Sequence, residues 1–262
     1  MASRDPLRFA TTTAADVARE AGVSEATVAR AAQKLGFTGV KEMKAAYAAR
    51  VQRGVGLEGV MESRLARLRS MGASGPERTL GGVLASAADL LLTLSETLDP
   101  AAFAEAAEGI GAAPRTVVYG LGTGSQIAGY FVLELERGGV DAVVVSGSGH
   151  TNADAVFRLR PDDAVIVLAP RVVFDDVAAF IAGAAGIVGL VAVVSQDEVP
   201  KASRGSAVHL RLPDTSGGVA TESVAAWGVC DALVAEVVRA RPDRALEARS
   251  RLQELRERYS AR

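Results

Sequence analysis

Five short runs of apolar, mostly β-branched residues follow residue 115, and they constrain the fold of this chain more than any other feature. Their sequences are TVVYGLG, DAVVVSG, DAVIVLA, GLVAVVS and SAVHLRL. Strands that are apolar at nearly every position are buried on both faces, as in parallel sheets. Segments with helical period separate most of these runs, which predicts right-handed crossovers. We therefore expect an α/β fold, a three-layer α/β/α domain on a five-stranded parallel sheet.

Helical periodicity dominates the remainder of the chain. Apolar residues recur three and four positions apart in the first fifty residues, in TLGGVLASAADLLLTLSETL and in AAFAEAAEGIGAA. Asp99 suits a helix cap and Pro100 the first turn of the helix that follows. The chain ends in an Arg/Glu-rich helix whose Leu246, Leu252 and Leu255 we expect to face the body or a partner subunit.

Charge and composition indicate two parts. Residues 1–53 carry nine Lys/Arg and five Asp/Glu, a net charge of +4. Because the whole chain has a net charge of −2, the remaining residues have a net charge of −6. A basic head on an acidic body suits a polyanionic partner for the head, although a solvated face would show the same excess. We expect a head over residues 1–50, a linker over 51–78 that is partly helical around 61–71, and a body over 79–262.

The composition also excludes several classes of protein. The single cysteine, Cys230, allows no disulfide within the chain and is expected to be a buried small hydrophobe. Two histidines, His150 and His209, share no ligand-like spacing, so neither a metal nor a cofactor is expected. The amino terminus lacks the apolar core of a signal peptide, and the longest continuous apolar runs are shorter than a bilayer. We expect a cytoplasmic protein.

The segment AADVAREAGVSEATVARAAQ, residues 14–33, has the spacing of a helix-turn-helix. Ala18 is the small residue at the helix crossing, Gly22 supplies the positive φ of the turn, and Ser24 caps the second helix. Two ordinary amphipathic helices joined by a glycine turn are the alternative. The apolar residues expected to lock the two helices together are Val17, Val23, Val28 and Ala31.

The second helix of such a unit enters the major groove with its amino-terminal residues toward the base edges. Arg30 could pair with guanine or hold a phosphate, and the residues leave both roles open. The side chains expected to face DNA are Ser24, Glu25, Thr27, Arg30, Gln33 and Lys34.

The stretch from residue 14 to about residue 46 resembles the DNA-binding domain of RpiR-type regulators, with GVSEATVAR and KLGFTGVKEMK most similar to the family signature. The resemblance implies a transcription regulator, not an enzyme, with double-stranded operator DNA as its partner. In the family another helix precedes this unit, and MASRDPLRFATTT does not resemble it. A late start codon or a lost helix would explain this, and we expect the unit as written to be less stable than a complete one.

Residues 79–262 resemble a SIS (sugar isomerase) domain through TVVYGLGTGSQIAGYFVLELERGGV, the strand–helix order and the final helix pair. The resemblance implies a homodimer or higher oligomer whose body senses a phosphorylated sugar or related anion. The family usually has serine where Gly124 stands. A Gly-rich turn lets the backbone approach a ligand, and the helix that it opens attracts anions. The expected contacts on this turn are Gly122, Thr123, Gly124 and Ser125.

A second family feature is a phosphate loop of the form SxSGxT after the third strand. SGSGHT, residues 146–151, fits that form but follows the second strand, whereas the third is followed by APRVVFDD. Ligands of a flavodoxin-like sheet bind between the first and third strands. Arg171 would therefore have to replace the hydroxyls, with Ser146 and Ser148 reaching the same edge. Glu222 resembles the family's acid near the sugar, but an acid in a first helical turn also stabilises the helix dipole.

Three functions stay open from the residues. The first is a ligand-responsive regulator. The second is a phosphosugar isomerase, for which Glu222, His150 and His209 would have to supply the acid and the base. The third is a regulator whose body has lost its ligand and only dimerises. A nicotinamide dinucleotide is not expected, because Ser146 stands where such folds place an acid.

Overall fold

The structure is a computed structural model of the chain. It describes residues 17–19, 22–34, 39–40, 57–70, 75–201, 205, 207–215 and 218–260. The chain divides into two compact units, residues 1–70 and 71–262. This boundary falls inside the stretch where the sequence suggests a linker.

The first unit is helical over most of its described residues. Residues 17–19 are helical, and helix α1 spans Glu25–Lys34. Helix α2 spans Leu57–Ser70 and occupies much of the expected linker. The helical period of the first fifty residues also predicts a helix over GVKEMKAAYAAR, residues 39–50, of which only residues 39 and 40 are described.

The second unit opens with two helices and then alternates strands and helices. Helix α3 spans Pro76–Thr97, and α4 spans Pro100–Ala112. The Asp99 carboxylate accepts a hydrogen bond from the Ala101 amide at 2.9 Å, which confirms the predicted cap. The further elements are β1 Thr116–Gly120, α5 Thr123–Arg137, β2 Ala142–Val145, α6 His150–Phe157, β3 Ala164–Leu168, α7 Asp175–Ala185, β4 Leu190–Ser195, β5 Val208–Arg211, α8 Glu222–Ala240 and α9 Pro242–Ser260.

The five strands form one parallel sheet in the order β2-β1-β3-β4-β5. Every residue of β1 and of β3 is buried, as the continuous apolar runs predicted. The chain leaves β1 toward β2 and later crosses back to β3, so the strand order reverses between β1 and β3. That point is the usual ligand crevice of an open parallel sheet. The predicted three-layer fold is confirmed.

Helices cover both faces of the sheet. Helices α3, α4, α5 and α8 pack on the face that carries Val118, Ile166 and Val194. Helices α6 and α7 pack on the opposite face, against Val117 and Val165. Cys230 lies fully buried in the first layer, as expected, and its burial raises the pKa of its thiol.

An ion pair fastens the amino-terminal edge of the sheet, opposite the ligand crevice. Arg115 precedes β1 and donates to both carboxylate oxygens of Asp163, which precedes β3, at 3.0 and 2.5 Å. The Arg160 amide donates to the same carboxylate at 2.8 Å. Burial by itself would raise the pKa of Asp163, but these hydrogen bonds and the Arg115 charge outweigh it and lower the pKa.

Two helices differ from the sequence expectations. On α9, Leu246 and Leu255 are exposed, so they do not face the body, and their contact with a partner stays a prediction. Among the described residues one helix, α3, is long and apolar enough to cross a membrane by length and composition alone. The expectation from the sequence rested only on uninterrupted apolar runs, and it did not include α3 because Gly, Ser, Thr and Asp interrupt the apolar residues of this helix.

Candidate functional site

The turn before α1 has the geometry that the helix-turn-helix spacing predicted. Gly22 has φ 65°, a left-handed conformation that side chains beyond glycine rarely adopt. The Gly22 amide donates to the Arg19 carbonyl at 3.2 Å, and the Val23 amide donates to the Ala18 carbonyl at 2.9 Å. These bonds close the turn within a few residues of the first helix.

Ser24 caps α1, as predicted. Its hydroxyl accepts a hydrogen bond from the Thr27 amide at 3.2 Å, and its carbonyl accepts one from the Val28 amide at 3.1 Å. The hydroxyls of Ser24 and Thr27 also share a hydrogen bond of 2.9 Å. Both side chains are exposed, so they hold the amino-terminal end of α1 in shape while facing solvent.

The packing of this unit corrects two of the predicted contacts. Val17, Ala18 and Val28 are buried, as expected, but Val23 is 43% exposed and Ala31 is exposed. Ala32 is fully buried instead. The buried face of α1 continues from residue 28 by a step of four, whereas the sequence prediction took the equally allowed step of three.

The exposed side of α1 carries the residues predicted to face DNA. Glu25 and Arg30 are exposed together with the capping pair. Arg30 makes no ion pair with any residue in the described ranges. Gln33 and Lys34 belong to the last turn of α1, and their side chains lie outside the described part of the structure. DNA contact by these six residues stays a prediction.

In the body, the turn from β1 into α5 leaves no room for a side chain at Gly120 or Gly124. Gly122 has φ 53°, and a Cβ on Gly120 would lie 2.5 Å from the Gly124 carbonyl. A Cβ on Gly124 would lie 2.2 Å from the carbonyl oxygen of Leu168, at the end of β3. Gly124 therefore brings the first turn of α5 against the neighbouring strand, and the family's serine does not fit there.

The amino terminus of α5 retains unpaired amides. The amides of Gly124 and Ser125 donate to the carbonyls of Leu121 and Gly122, and the Ser125 hydroxyl donates to the Gly122 carbonyl at 2.7 Å. The amides of Gly122 and Thr123 donate to no partner in the part of the chain that the structure describes. Exposed amides at the positive end of a helix form a surface that attracts anions.

Arg171 lies on the loop after β3, beside this turn. The Gln196 amide donates to the Pro170 carbonyl at 2.9 Å, and the Asp197 amide donates to the Arg171 carbonyl at 3.3 Å. Pro170 Cδ lies 3.7 Å from the Cβ position of Gly124. The half-buried Arg171 side chain has no hydrogen bond or ion pair with a described residue. The loop that carries Arg171 and the amino terminus of α5 thus meet at the carboxyl ends of β1 and β3.

The serine-rich loop after β2 carries a carboxylate at its helix terminus. Gly149 has φ 56°, close to that of Gly122, and opens α6. Its amide donates to the Asp176 carboxylate at 3.1 Å, and Asn152 donates to the Asp176 carbonyl at 2.8 Å. An anion bound at this turn would meet that negative charge. Ser146 and Ser148 are exposed on the loop, and their role stays a prediction.

Sequence reasoning missed Asp176 and the tyrosine that supports the same loop. The Tyr119 hydroxyl donates to the Gly147 carbonyl at 2.8 Å, and its ring stacks on Phe180 with centroids 4.0 Å apart. Burial raises the pKa of Tyr119. Nothing in the sequence indicated the role of Asp176, because the Gly149 amide that donates to its carboxylate lies 27 positions away.

Glu222 opens α8, as predicted, and is half-buried. The loop before it is held by Ser86 of α3, whose hydroxyl oxygen accepts hydrogen bonds from the amides of Val219 (3.0 Å) and Ala220 (3.1 Å). None of the contacts among the described residues joins Glu222 to Arg171. The structure therefore places Glu222 at the start of its helix without showing a shared site.

The two histidines are far apart along the sheet. His150 is exposed at the start of α6, beyond the β2 edge. His209 lies on β5, at the opposite edge, where its Nε2 is 2.9 Å from the Ser195 hydroxyl. No group of three or more metal-binding side chains occurs among the described residues.

The amino-terminal residues of the chain match a known protein family. Residues 3–54 match the profile of the helix-turn-helix domain of the rpiR family. A search of curated protein sequences found no match.

The solved structures that resemble the chain share the fold of its body. The sugar isomerase domain of an RpiR transcription factor from Sphaerobacter thermophilus is 24% identical, covers 66% of this chain and 96% of that chain, and gives a TM-score of 0.58. The Vibrio vulnificus NanR protein, complexed with ManNAc-6P, is 20% identical over 95% of this chain and 86% of that chain, with a TM-score of 0.59. A phosphoheptose isomerase from Francisella tularensis is 13% identical over 63% of this chain and 100% of that chain, with a TM-score of 0.52. At these identities the likeness shows the fold.

Proposed function

We propose that this chain, which joins a helix-turn-helix domain of the rpiR family to a body with the sugar-isomerase fold, is a cytoplasmic transcription regulator that binds operator DNA and senses a phosphorylated sugar or related anionic metabolite. The observation that carries the sensing half is that the loop after β3, which carries Arg171, packs through Pro170 against the α5 turn, whose amides are open. Both border the crevice between β1 and β3. The solved Vibrio vulnificus NanR complex with ManNAc-6P supports the class of ligand.

The chemistry of this crevice favours a dianionic group. The guanidinium of Arg171 can hold two oxygens at once, and the amides of Gly122 and Thr123 can donate to a third. The positive end of α5 adds an attraction of about 0.3–1 kcal/mol. Glu222 would then suit a sugar hydroxyl, since a carboxylate accepts hydrogen bonds from hydroxyls.

A thermal-shift panel tests the sensing half. We expect one sugar phosphate to raise the melting temperature, by mass action, while its unphosphorylated sugar does not. At a ligand concentration of 100 Kd the stabilisation is about 2.7 kcal/mol. Arg171→Gln should abolish the shift without changing the melting temperature of the free protein, whereas Arg251→Gln, on the exposed side of α9, should leave the shift unchanged.

Fluorescence anisotropy on the gene's upstream DNA tests the DNA-binding half. Specific binding should weaken as the salt concentration rises. The reason is that the bound protein displaces cations from the DNA phosphates, and their release into solution is less favourable when the solution already contains more salt. Arg30→Ala should weaken binding by about 1–3 kcal/mol if that side chain reads a base. Arg251→Ala is the matched control. Equal affinity of the Arg30 variant and the wild type would remove Arg30 from the DNA contacts.

One observation favours a second function, a regulator whose body only dimerises. The loop after β3 offers Arg171 but no hydroxyl, and its Val172 and Phe174 are apolar, with Phe174 60% exposed. A flat thermal-shift panel together with specific DNA binding would support this function. Turnover of any phosphosugar by the purified chain would instead indicate an isomerase.

A further inference from the structure

A cleft lies beside the edge strand β2, on the face of the sheet that α6 and α7 cover. Val143 pairs in register with Val117 of β1, whose side chain lies in the core of that face. Val143 and Val145 both point to it, since residues two apart on a strand share a face. Val143 is nevertheless 39% exposed, and Val145 is only half-buried. The space between these valines and α6 has a volume of about 480 Å³, within the usual range of small-molecule sites.

The position of α6 leaves this space open. Asn152 of α6 donates to the Asp176 carbonyl of α7 at 2.8 Å, and the Gly149 amide donates to the Asp176 carboxylate at 3.1 Å. The Val156 side chain packs over Gly183 of α7, where a Cβ would lie 3.1 Å from it. Helix α7 packs on the central strands β3 and β4. These contacts therefore hold α6 toward the middle of the sheet and leave the β2 side uncovered.

Two opposite charges stand on the helical wall of the cleft. Asp154 and Arg158 both line it, lie four positions apart on α6 and at its carboxyl end, and are exposed. An acid four residues before a base is the favoured order for an ion pair on a helix. Neither side chain, however, forms an ion pair or a hydrogen bond with any residue that the structure describes. Both charges are therefore available to a ligand.

The backbone that carries Arg158 is fixed from the floor of the cleft. The Arg115 guanidinium donates to the Arg158 carbonyl at 3.1 Å, and the Arg158 amide donates to the Ala155 carbonyl at 3.2 Å. Arg115 also lines the cleft, but its charge is already paired with Asp163. Arg115 thus holds the end of α6 in place, and Arg158 is the cation that this end offers to a ligand.

We propose that this cleft is a second ligand site, for a zwitterion with an apolar side chain, which is the chemistry of a free apolar α-amino acid. Its carboxylate binds the Arg158 guanidinium through two hydrogen bonds, and its ammonium group binds Asp154. Its side chain covers Val143 and Val145. Residues four apart on a helix have Cβ atoms about 5–6 Å apart, so one small zwitterion reaches both charges. The cleft includes neither the α5 turn nor Arg171, so it is separate from the sensing crevice.

Charge complementarity favours this occupant. A sugar phosphate would bring a dianion beside Asp154 and has no apolar part to cover the valines. An extended peptide could add a strand to the free edge of β2, but its internal residues have no backbone charge to place at Asp154 and Arg158. A purely apolar ligand would leave both charges without a partner. A zwitterion with an apolar side chain uses both charges and the apolar wall together.

Isothermal titration calorimetry of the full chain with L-phenylalanine and L-leucine tests the proposal. We expect saturable binding of these amino acids and none of 3-phenylpropanoate, which lacks the ammonium group, or of phenethylamine, which lacks the carboxylate. Asp154→Asn and Arg158→Gln should each weaken binding about tenfold or more, because each removes a charge-assisted hydrogen bond. Asp162→Asn and Arg251→Gln are the matched controls, since both positions are exposed and neither lines the cleft.

A variant that keeps both charges gives an independent readout. Val143→Trp fills the cleft from a partly exposed position, so it should abolish binding and leave the melting temperature of the free protein unchanged. Leu133→Trp, at a similarly exposed position on α5 and the other face of the sheet, should bind as the wild type does. Arg171→Gln should also bind normally, which separates this site from the sensing crevice.

Three results would overturn the proposal. They are no binding of either amino acid, equal binding of 3-phenylpropanoate, and undiminished binding by the Arg158 variant. Binding of a valine-rich hexapeptide without binding of either amino acid would assign the cleft to an extended polypeptide instead, and would likewise reject the zwitterion as its occupant.

Discussion

Replacing Gly124 by alanine adds one methyl group at a position where the structure has no space for it. The new Cβ would lie 2.2 Å from the Leu168 carbonyl oxygen and 3.2 Å from its carbonyl carbon, whereas ordinary contacts lie at 3.4–4 Å. The atoms that it meets are backbone of β3, which is paired on both sides, by β1 and β4. Neither the strand nor the methyl group can rotate away, so α5 must move.

The expected cost follows from that geometry. Overpacking a protein interior costs about 1–3 kcal/mol and occasionally more. Because the obstacle is central-strand backbone, we expect about 3 kcal/mol. For a unit of this size, 1 kcal/mol corresponds to about 2–4 °C, so the melting temperature should fall by about 6–12 °C.

Gly129→Ala is the matched control on the same helix. A Cβ at Gly129 has nothing within 4 Å, and the position is exposed in the middle of α5. Alanine is favoured over glycine inside a helix by about 1 kcal/mol. The same chemical change five residues away should therefore raise the melting temperature by about 2–4 °C.

The single tryptophan provides the assay. Trp227 lies on α8 with its ring 4.2 Å from Tyr130 of α5, so its fluorescence reports on the body and on the seat of α5. Urea and thermal unfolding would be followed at this residue for the wild type and both variants. An unchanged midpoint for Gly124→Ala, or equal losses for the two variants, would refute the argument from close approach.

Two further predictions concern polar groups away from the crevice. Asp163→Asn should destabilise the body by about 3 kcal/mol at pH 7, because it removes the negative charge that pairs with Arg115. Since the pKa of Asp163 is lowered in the folded state, the wild type has this stabilisation above about pH 4 and loses it as the pH falls through the folded pKa. The unfolding midpoints of the two proteins should therefore differ at pH 7 and converge as the pH is lowered toward about 3. Ser86→Ala should cost about 1–3 kcal/mol, because it leaves the amides of Val219 and Ala220 without their acceptor, and hydrogen exchange should speed up at those two amides; unchanged exchange there would contradict the role given to Ser86.

The sequence predicted those parts of the structure that depend on local pattern. Strands β1 and β3 were recognisable because every residue in them is apolar or small, and every residue in them is buried. Gly22, Ser24 and Asp99 were recognisable because a turn or a cap requires a particular residue type at one position. The crevice between the first and third strands was expected for a flavodoxin-like order of strands, and the observed order β2-β1-β3-β4-β5 is of that kind.

Long-range and register-dependent features were beyond that reasoning. Helical period permits steps of three and of four, so it could not choose between Ala31 and Ala32 as the buried residue of α1. The hydrogen bond from the Gly149 amide to the Asp176 carboxylate joins residues far apart in sequence, and neither residue type by itself predicts it. For the same reason the sequence could suggest Glu222 as a sugar contact but could not say what lies opposite it.

The Ser86 hydroxyl connects two parts of the body that are far apart in sequence, helix α3 and the loop before α8. It is fixed in α3, the first helix after the boundary at residue 71, and it holds the two amides that lead into Glu222. If Glu222 contacts the sugar as proposed, a ligand that displaces this loop would either detach both amides from Ser86 or move α3 with them. In the first case the bonds to Ser86 would oppose binding of that ligand. In the second, occupancy is transmitted to the segment nearest in sequence to the helix-turn-helix, and by reciprocity whatever holds α3 in place also tunes the affinity for the ligand.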